Sequence, residues 1–199
     1  AFDPSPSDNG GDSPILAEDL SMKSESSSSG SFKLVENMDG EQLVRLGGVA
    51  SAVEPTVLWS ETAPAASASK VVCSFHAGLD KIGDGLGDVF AWQATGADGA
   101  PLFQVRLNSS DGSVELVQPD GSSRAAAPIL VADSLQYFEV TLDLVLGSWS
   151  ARMNGVALGE ALPLPVNAVF GDLSAVWYPA GGNGPVSSMT FDRVGIRSE

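Results

Sequence analysis

Hydrophobic and polar positions alternate in short runs along most of this chain, most clearly in residues 137 to 160, YFEVTLDLVLGSWSARMNGVALGE. Phe138, Val140, Leu142 and Leu144 fall on one face of an extended backbone, and Tyr137, Glu139, Thr141 and Asp143 fall on the other. That is the pattern of a strand with one face in a core. After a turn at Leu146-Gly147, Trp149, Ala151 and Met153 alternate with Ser148, Ser150 and Arg152. Asn154-Gly155 then supplies the pair of positive-φ residues that a two-residue type I′ hairpin needs. The segment predicts three antiparallel strands in succession.

The same period recurs in FKLVE, EQLVRL, TVLWS, KVVCSFHAG, DVFAWQATG, PLFQVRLN, SVELVQ, LSAVWYP and SSMTFDRVGIR, separated by turn-forming stretches such as ADGAP, SSDGS, QPDGSS and PAGGNGP. Ten or more short strands so punctuated predict an all-β protein, a two-sheet antiparallel sandwich. Helical periodicity is nearly absent. The best helical stretch, residues 63 to 70, contains Pro64 and is too short to stand alone, so a surface loop or a single turn fits it equally well. No repeat of fixed period marks a propeller or solenoid. Residues 1 to 14 are mostly Pro, Gly, Ser and Asp and read as a flexible arm or linker, with one sandwich domain over 15 to 199. The serine-rich patch at 24 to 31 reads as a loop within that domain.

The order of strand, short turn, Trp-containing strand ending in Asn-Gly, and short strand over 137 to 160 resembles the equivalent stretch of concanavalin A-like and laminin-G-like jelly rolls. DVFAWQATGADGAPLFQVRL is similar to a hairpin of the same kind, and MTFDRVGIRSE resembles their final strand, which returns beside the first. The likeness covers about residues 15 to 197 and lies in strand order and turn placement. It implies a jelly roll and leaves the function to be sought in individual sites.

Charge narrows the choice of partner. Against 10 Lys and Arg stand 25 Asp and Glu, a net charge of −15. A field of that sign repels phosphate backbones and anionic lipid heads, so nucleic acid and acidic membranes are poor partners. No apolar run reaches the length of a membrane span. Cys73 is the sole cysteine, which rules out an intrachain disulfide and a cysteine-based zinc site, and its setting in KVVCSF reads as a buried apolar position. The start at AFDPSPSDNGGDSP, without Met, fits a mature terminus left by an export signal and equally an expression product. Secretion, to the extracellular space or cell surface, is the expectation.

Candidate chemistry is sparse. The resemblance implies that catalytic members would carry Glu-x-Asp-x-Glu along one strand, and no such motif is present. Glu139 and Asp143 share a strand face but read as a solvated surface in preference to a catalytic pair. A divergent lyase would have to use His76, the only histidine, with Tyr178. For ligand binding, Trp177 and Tyr178 precede the glycine loop PAGGNGP, where an aromatic plane can stack on a sugar while Asn183 bonds its hydroxyls. Trp59 and His76 complete the candidate ligand-binding set, with core packing as the plain alternative for each Trp. Trp92 and Trp149 share faces with apolar neighbours and belong to the core.

Two acidic groupings suggest structural Ca²⁺. Asp80, Asp84 and Asp88 lie in the glycine-rich loop GLDKIGDGLGDVF, without the alternating ligands of an EF-hand. Glu18 and Asp19, on the expected first strand, could meet Asp192 on the last. Ordinary solvated carboxylates account for both equally well.

These features favour a secreted, non-catalytic recognition module for glycan or a cell-surface partner. Two alternatives stand beside it. One is a structural or adhesive subunit of an extracellular assembly that self-associates or docks on another protein through the arm. The other is a divergent polysaccharide lyase or hydrolase.

Overall fold

A computed structural model of the chain describes residues 32–36, 42–48, 56–60, 68–83, 85–181 and 184–199. Within them the strands are β1 (Phe32–Glu36), β2 (Gln42–Gly47), β3 (Thr56–Ser60), β4 (Lys70–Leu79), β5 (Val89–Gly96), β6 (Pro101–Asn108), β7 (Ser113–Val117), β8 (Ser123–Ile129), β9 (Gln136–Asp143), β10 (Ser148–Met153), β11 (Val156–Pro163), β12 (Phe170–Tyr178) and β13 (Ser188–Ser198). Among the described residues there is no helix, and Lys70, the end of the one helical candidate, opens β4. The two low-complexity stretches, 1 to 14 and 24 to 31, lie outside the described residues.

The strands form two antiparallel sheets. Seven run in the order β1-β2-β13-β4-β9-β10-β11, and six in the order β3-β12-β5-β6-β7-β8. The all-β sandwich expected from the alternation is therefore the fold. The three strands expected over 137 to 160 are β9, β10 and β11. Asn154 and Gly155 take φ of 50° and 80°, the two positive angles that their hairpin requires. The final strand, β13, lies between β2 and β4. β8 is the strand that alternation did not announce: its sequence, SRAAAPI, has little contrast between its faces, and it forms at the sheet edge because β7 offers an open ladder.

The inner faces meet in an aromatic core. Phe75 of β4 stacks on Trp92 of β5 at 4.3 Å between ring centroids, and on Phe138 of β9 at 5.2 Å. Phe191 of β13 meets Trp92 edge-on at 5.0 Å, and Phe103 of β6 stacks on Trp149 of β10 at 5.4 Å. Each inter-sheet pair removes both rings from water, and a fully buried Phe contributes about 1.5–3 kcal/mol through that alone. Trp92, Trp149 and Cys73 are all buried, as their sequence neighbours imply. Burial pushes the Cys73 thiol far up from its ordinary pKa, so it is no nucleophile in the native fold.

Candidate functional site

The outer face of the six-stranded sheet carries a connected row of polar side chains. Because Ala94, Phe103, Val105, Leu107 and Leu116 point into the core, their strand neighbours Gln93, Thr95, Gln104, Arg106 and Glu115 must point out. Gln93 stands opposite Gln104, and Gln104 opposite Val117. A carboxamide has both an acceptor oxygen and donor hydrogens, so such residues can be chained across strands. Gln104 Nε2 donates to Gln93 Oε1 at 2.9 Å and to the Tyr178 hydroxyl at 3.1 Å, while Arg106 Nε donates to Gln104 Oε1 at 2.6 Å. The row continues through Arg106 and Glu115, 3.8 Å apart, to Ser123, whose Oγ donates to Glu115 Oε1 at 2.7 Å. It thus crosses β12, β5, β6, β7 and β8.

Beside this row the face sinks into a cavity of about 230 Å³ lined by Gln93, Thr95, Gln104, Val117, Gln118 and the rings of Pro101 and Pro119, among others. Its walls are the β5–β6 and β7–β8 turns. Gly99 and Gly121 at their tips have φ of 80° and 84°, angles that L side chains rarely adopt. An added Cβ would meet no atom within 4 Å at either glycine. The turns therefore need glycine for backbone conformation, and the space beside them stays open.

The outer face of the seven-stranded sheet is different in kind. His76 on β4 stands between Asp192 on β13 and Tyr137 on β9, its ring 5.2 Å from the phenol. The Tyr137 hydroxyl donates to Glu139 Oε2 at 3.2 Å, and Arg197 lies 3.9 Å from the same carboxylate. Desolvation, aided by the Glu139 charge and hydrogen bond, raises the Tyr137 pKa above the ordinary 10.0. Asp143, farther along that face, accepts from the Leu146 amide at 2.8 Å and caps the β9–β10 turn.

A third cluster sits at the end of the sandwich where the 80–88 and 179–187 connections meet. Asp88 is 1% exposed, and its carboxylate accepts Trp177 Nε1 at 3.1 Å, the Ala180 amide at 3.2 Å and the Ser187 amide at 2.8 Å. Asp80 Oδ1 accepts the Ser187 hydroxyl at 2.9 Å and the Ser188 amide at 2.6 Å. Beside them Arg45, Gly47, Lys81 and Asp80 border a cleft of about 260 Å³.

The positions expected to act are distributed over these three places. Tyr178 joins the glutamine row, but Trp177, its neighbour, faces inward and is 0% exposed, so its plane cannot stack on a sugar. Core packing, with its indole N–H held by Asp88, is its use. His76 and Tyr178 lie on opposite outer faces with the core between them, and therefore cannot act as one catalytic pair. Trp59 stands on edge strand β3, opposite Ser174 in the register. Asn183 lies outside the described residues, as do Asp84, Glu18 and Asp19.

Asp80 and Asp88 do converge, and Ser187 with neighbouring backbone N–H groups joins them. Three of their four carboxylate oxygens accept such donors, so a cation at this pair would compete with those N–H and O–H groups for the lone pairs. Asp192 accepts from the Arg193 amide and lies 3.4 Å from its guanidinium. Among the described residues no three His, Cys, Asp or Glu side chains group closely enough to hold a metal.

Gln93, Gln104, Arg106 and Tyr137 are the functional candidates that sequence reasoning missed. Each occupies a polar position in a strand correctly expected, but polar outward positions are common, and nothing local says which ones meet. Residues Gln93 and Gln104 face each other only because a bulge follows: the pairing shifts between Ala94–Phe103 and Thr95–Pro101. Carrying the register of the Thr95–Pro101 pair through without that bulge would set Gln93 against Phe103.

No family model matches the chain, and no curated protein matches it in sequence. Solved structures do match its fold. The carbohydrate recognition domain of Emp47p superposes with a TM-score of 0.61 at 9% identity, covering 95% of this chain and 99% of that one. An alginate lyase from Corynebacterium sp. gives 0.58 at 10% identity, with 83% and 81% covered. A sialidase gives 0.62 at 10% identity over 84% of this chain, which spans only 17% of the sialidase. The chain has a jelly-roll fold similar to that of these solved structures. Among the described residues no helix is long and apolar enough to cross a membrane.

Proposed function

We propose that this protein is an extracellular, non-catalytic carbohydrate-recognition module whose glycan lies across the outer face of the six-stranded sheet. The supporting observation is the hydrogen-bonded row Tyr178–Gln93–Gln104–Arg106 beside an open cavity. Sugar hydroxyls donate and accept at once, as carboxamides do, and side chains already held by one another lose little freedom on binding. The similarity in fold to a carbohydrate recognition domain agrees with this use. A panel of immobilised glycans read with wild type and Gln104→Ala tests it. Binding to at least one glycan, weakened tenfold or more in the folded variant, is the expected result; no binding across the panel defeats the proposal.

A second reading, polysaccharide cleavage, has one observation in its favour: His76 lies beside Tyr137 and its acidic partner Glu139 on the opposite sheet. Release of unsaturated or reducing ends by wild type, abolished in Tyr137→Phe, would establish it. Structural calcium is proposed separately, at sites that Asp84 or Glu18 and Asp19 would complete. A melting temperature that rises with calcium at constant ionic strength and falls with chelator is its signature.

A further inference from the structure

We infer that the cavity beside the glutamine row takes an uncharged sugar residue and rejects a uronate, an inference resting on the reading that this face binds glycan. The residues that line the cavity include three carboxamides, Gln93, Gln104 and Gln118, the Thr95 hydroxyl, and apolar surface from Pro101, Val117 and Pro119, with no charged side chain. A volume of about 230 Å³ suits one sugar ring with water around it. The carboxamides can bond hydroxyls, and the proline rings present C–H surface to the apolar face of a pyranose.

A carboxylate entering the same space finds no cation of its own. The nearest basic group that the row supplies is Arg106, whose Nε is given to Gln104 Oε1 and whose terminal nitrogen faces Glu115 at 3.8 Å. The two turns that wall the cavity carry carboxylates instead. Asp98 accepts from the Ala100 amide at 3.0 Å, and Asp120 accepts from the Ser122 amide at 2.9 Å and its hydroxyl at 2.6 Å. Those bonds to Ser122 hold Asp120 below its usual pKa, which keeps the rim negative into mild acid. The net charge of −15 adds a repulsive field at long range. Burying an anion without a partner is costly. Here the walling turns offer Asp98 and Asp120, Arg106 is engaged by Gln104 and Glu115, and Arg124, past the second turn on β8, is not among the residues that line the cavity. The similarity of this fold to an alginate lyase therefore does not extend to the charge of the sugar.

The test measures binding that depends on Gln104, taken as wild type minus Gln104→Ala, both checked for native circular dichroism. Neutral oligosaccharides of glucose, mannose and xylose are compared with oligomers of mannuronate, guluronate and galacturonate at 50 and 300 mM salt. Neutral sugars should bind at least tenfold more tightly than uronates of equal length, with less than a twofold change between the salt concentrations. Glu115→Gln, which releases Arg106 from its counter-charge, should raise uronate affinity several-fold. Gln104-dependent binding of uronates as tight as that of neutral sugars overturns this inference and leaves the glycan-binding reading intact. No Gln104-dependent binding of any sugar overturns both.

Discussion

The two outer faces of the sandwich arise from the same alternation, yet one is organised by neutral amides and the other by charges. On the six-stranded sheet Gln93, Gln104 and Tyr178 bond directly, and the Arg106–Glu115 ion pair lies farther along the row. On the seven-stranded sheet Tyr137, Glu139 and Arg197 form an acid-centred cluster beside His76 and Asp192. The difference matters because water competes with each differently. Exposed charge pairs are screened and worth little, whereas a row of mutually bonded amides holds its geometry regardless of salt and presents donors and acceptors in fixed places. The first arrangement suits the neutral glycan proposed above, and the second holds a phenol, Tyr137, whose ionisation is opposed by its surroundings.

The strongest perturbation should damage both faces together. Asp88 anchors the connection from Tyr178 on one sheet to Ser188 on the other, and Asp88→Ala leaves the Trp177 indole and the Ala180 and Ser187 amides without their acceptor. At roughly 1–3 kcal/mol for each of the two buried donors stranded, the Trp177 indole and the Ser187 amide, with the part-buried Ala180 amide adding less, the loss should be about 3 kcal/mol. For a chain of this length that lowers the melting temperature by about 6 to 12 °C, read by calorimetry. Asp88→Asn, which keeps an acceptor oxygen, should recover part of it. An unchanged melting temperature in Asp88→Ala would show that the anchor contributes nothing.

A smaller effect separates the faces. Glu139→Gln removes the charge shared by Tyr137 and Arg197, both partly exposed, so its cost should be about 1 kcal/mol or less and should shrink further in high salt. Glycan affinity should not change, because the mutated residue lies on the other side of the core. A loss of binding as large as that in Gln104→Ala would merge the two faces functionally.

Titration distinguishes the faces more finely. Tyr137 has a raised pKa, so the fold favours its neutral phenol. The associated stability is fully present below about pH 10 and is lost as pH rises through the higher folded value. The phenolate absorbance assigned to Tyr137, as wild type minus Tyr137→Phe, should therefore have its midpoint above pH 10.0 in the native protein. In Glu139→Gln the same band should shift downward, since the neighbouring charge that opposes ionisation is gone.

The least of these effects belongs to a turn. Asp111 accepts from the Ser113 amide at 2.9 Å, and bonding to Ser113 lowers its pKa below 3.8. Its contribution is present above that value and is lost as pH falls through the lower folded one, so Asp111→Asn should flatten only the acid limb of the stability curve below about pH 4. A change near neutrality would contradict that assignment.

What could be read along the chain were features with a local cause. Alternation of side-chain polarity at period two is imposed by the strand itself, so β9, β10 and the inward aromatics were legible, as was the Asn154-Gly155 turn, whose backbone angles few other residues accept. The burial of Cys73, Trp92 and Trp149 followed from their neighbours. Adjacency between strands had no such local signature. Sequence alone offers Trp177 and Tyr178 together as ligand contacts, with core packing as the alternative for the Trp; a strand turns consecutive side chains to opposite faces, and the core took Trp177 while Tyr178 joined the outer row. His76 and Tyr178 were paired by chemistry, yet they belong to different sheets, and sheet membership depends on long-range pairing. The meeting of Gln93 with Gln104 depended on one bulge, and the joining of Asp80 to Asp88 through Ser187 on a contact across about a hundred residues. Composition and period set which residues face water; only the closed pair of sheets decided which of them face each other, since a hydrogen-bonded ladder can shift by one residue and exchange every neighbour without altering the alternation that specified it.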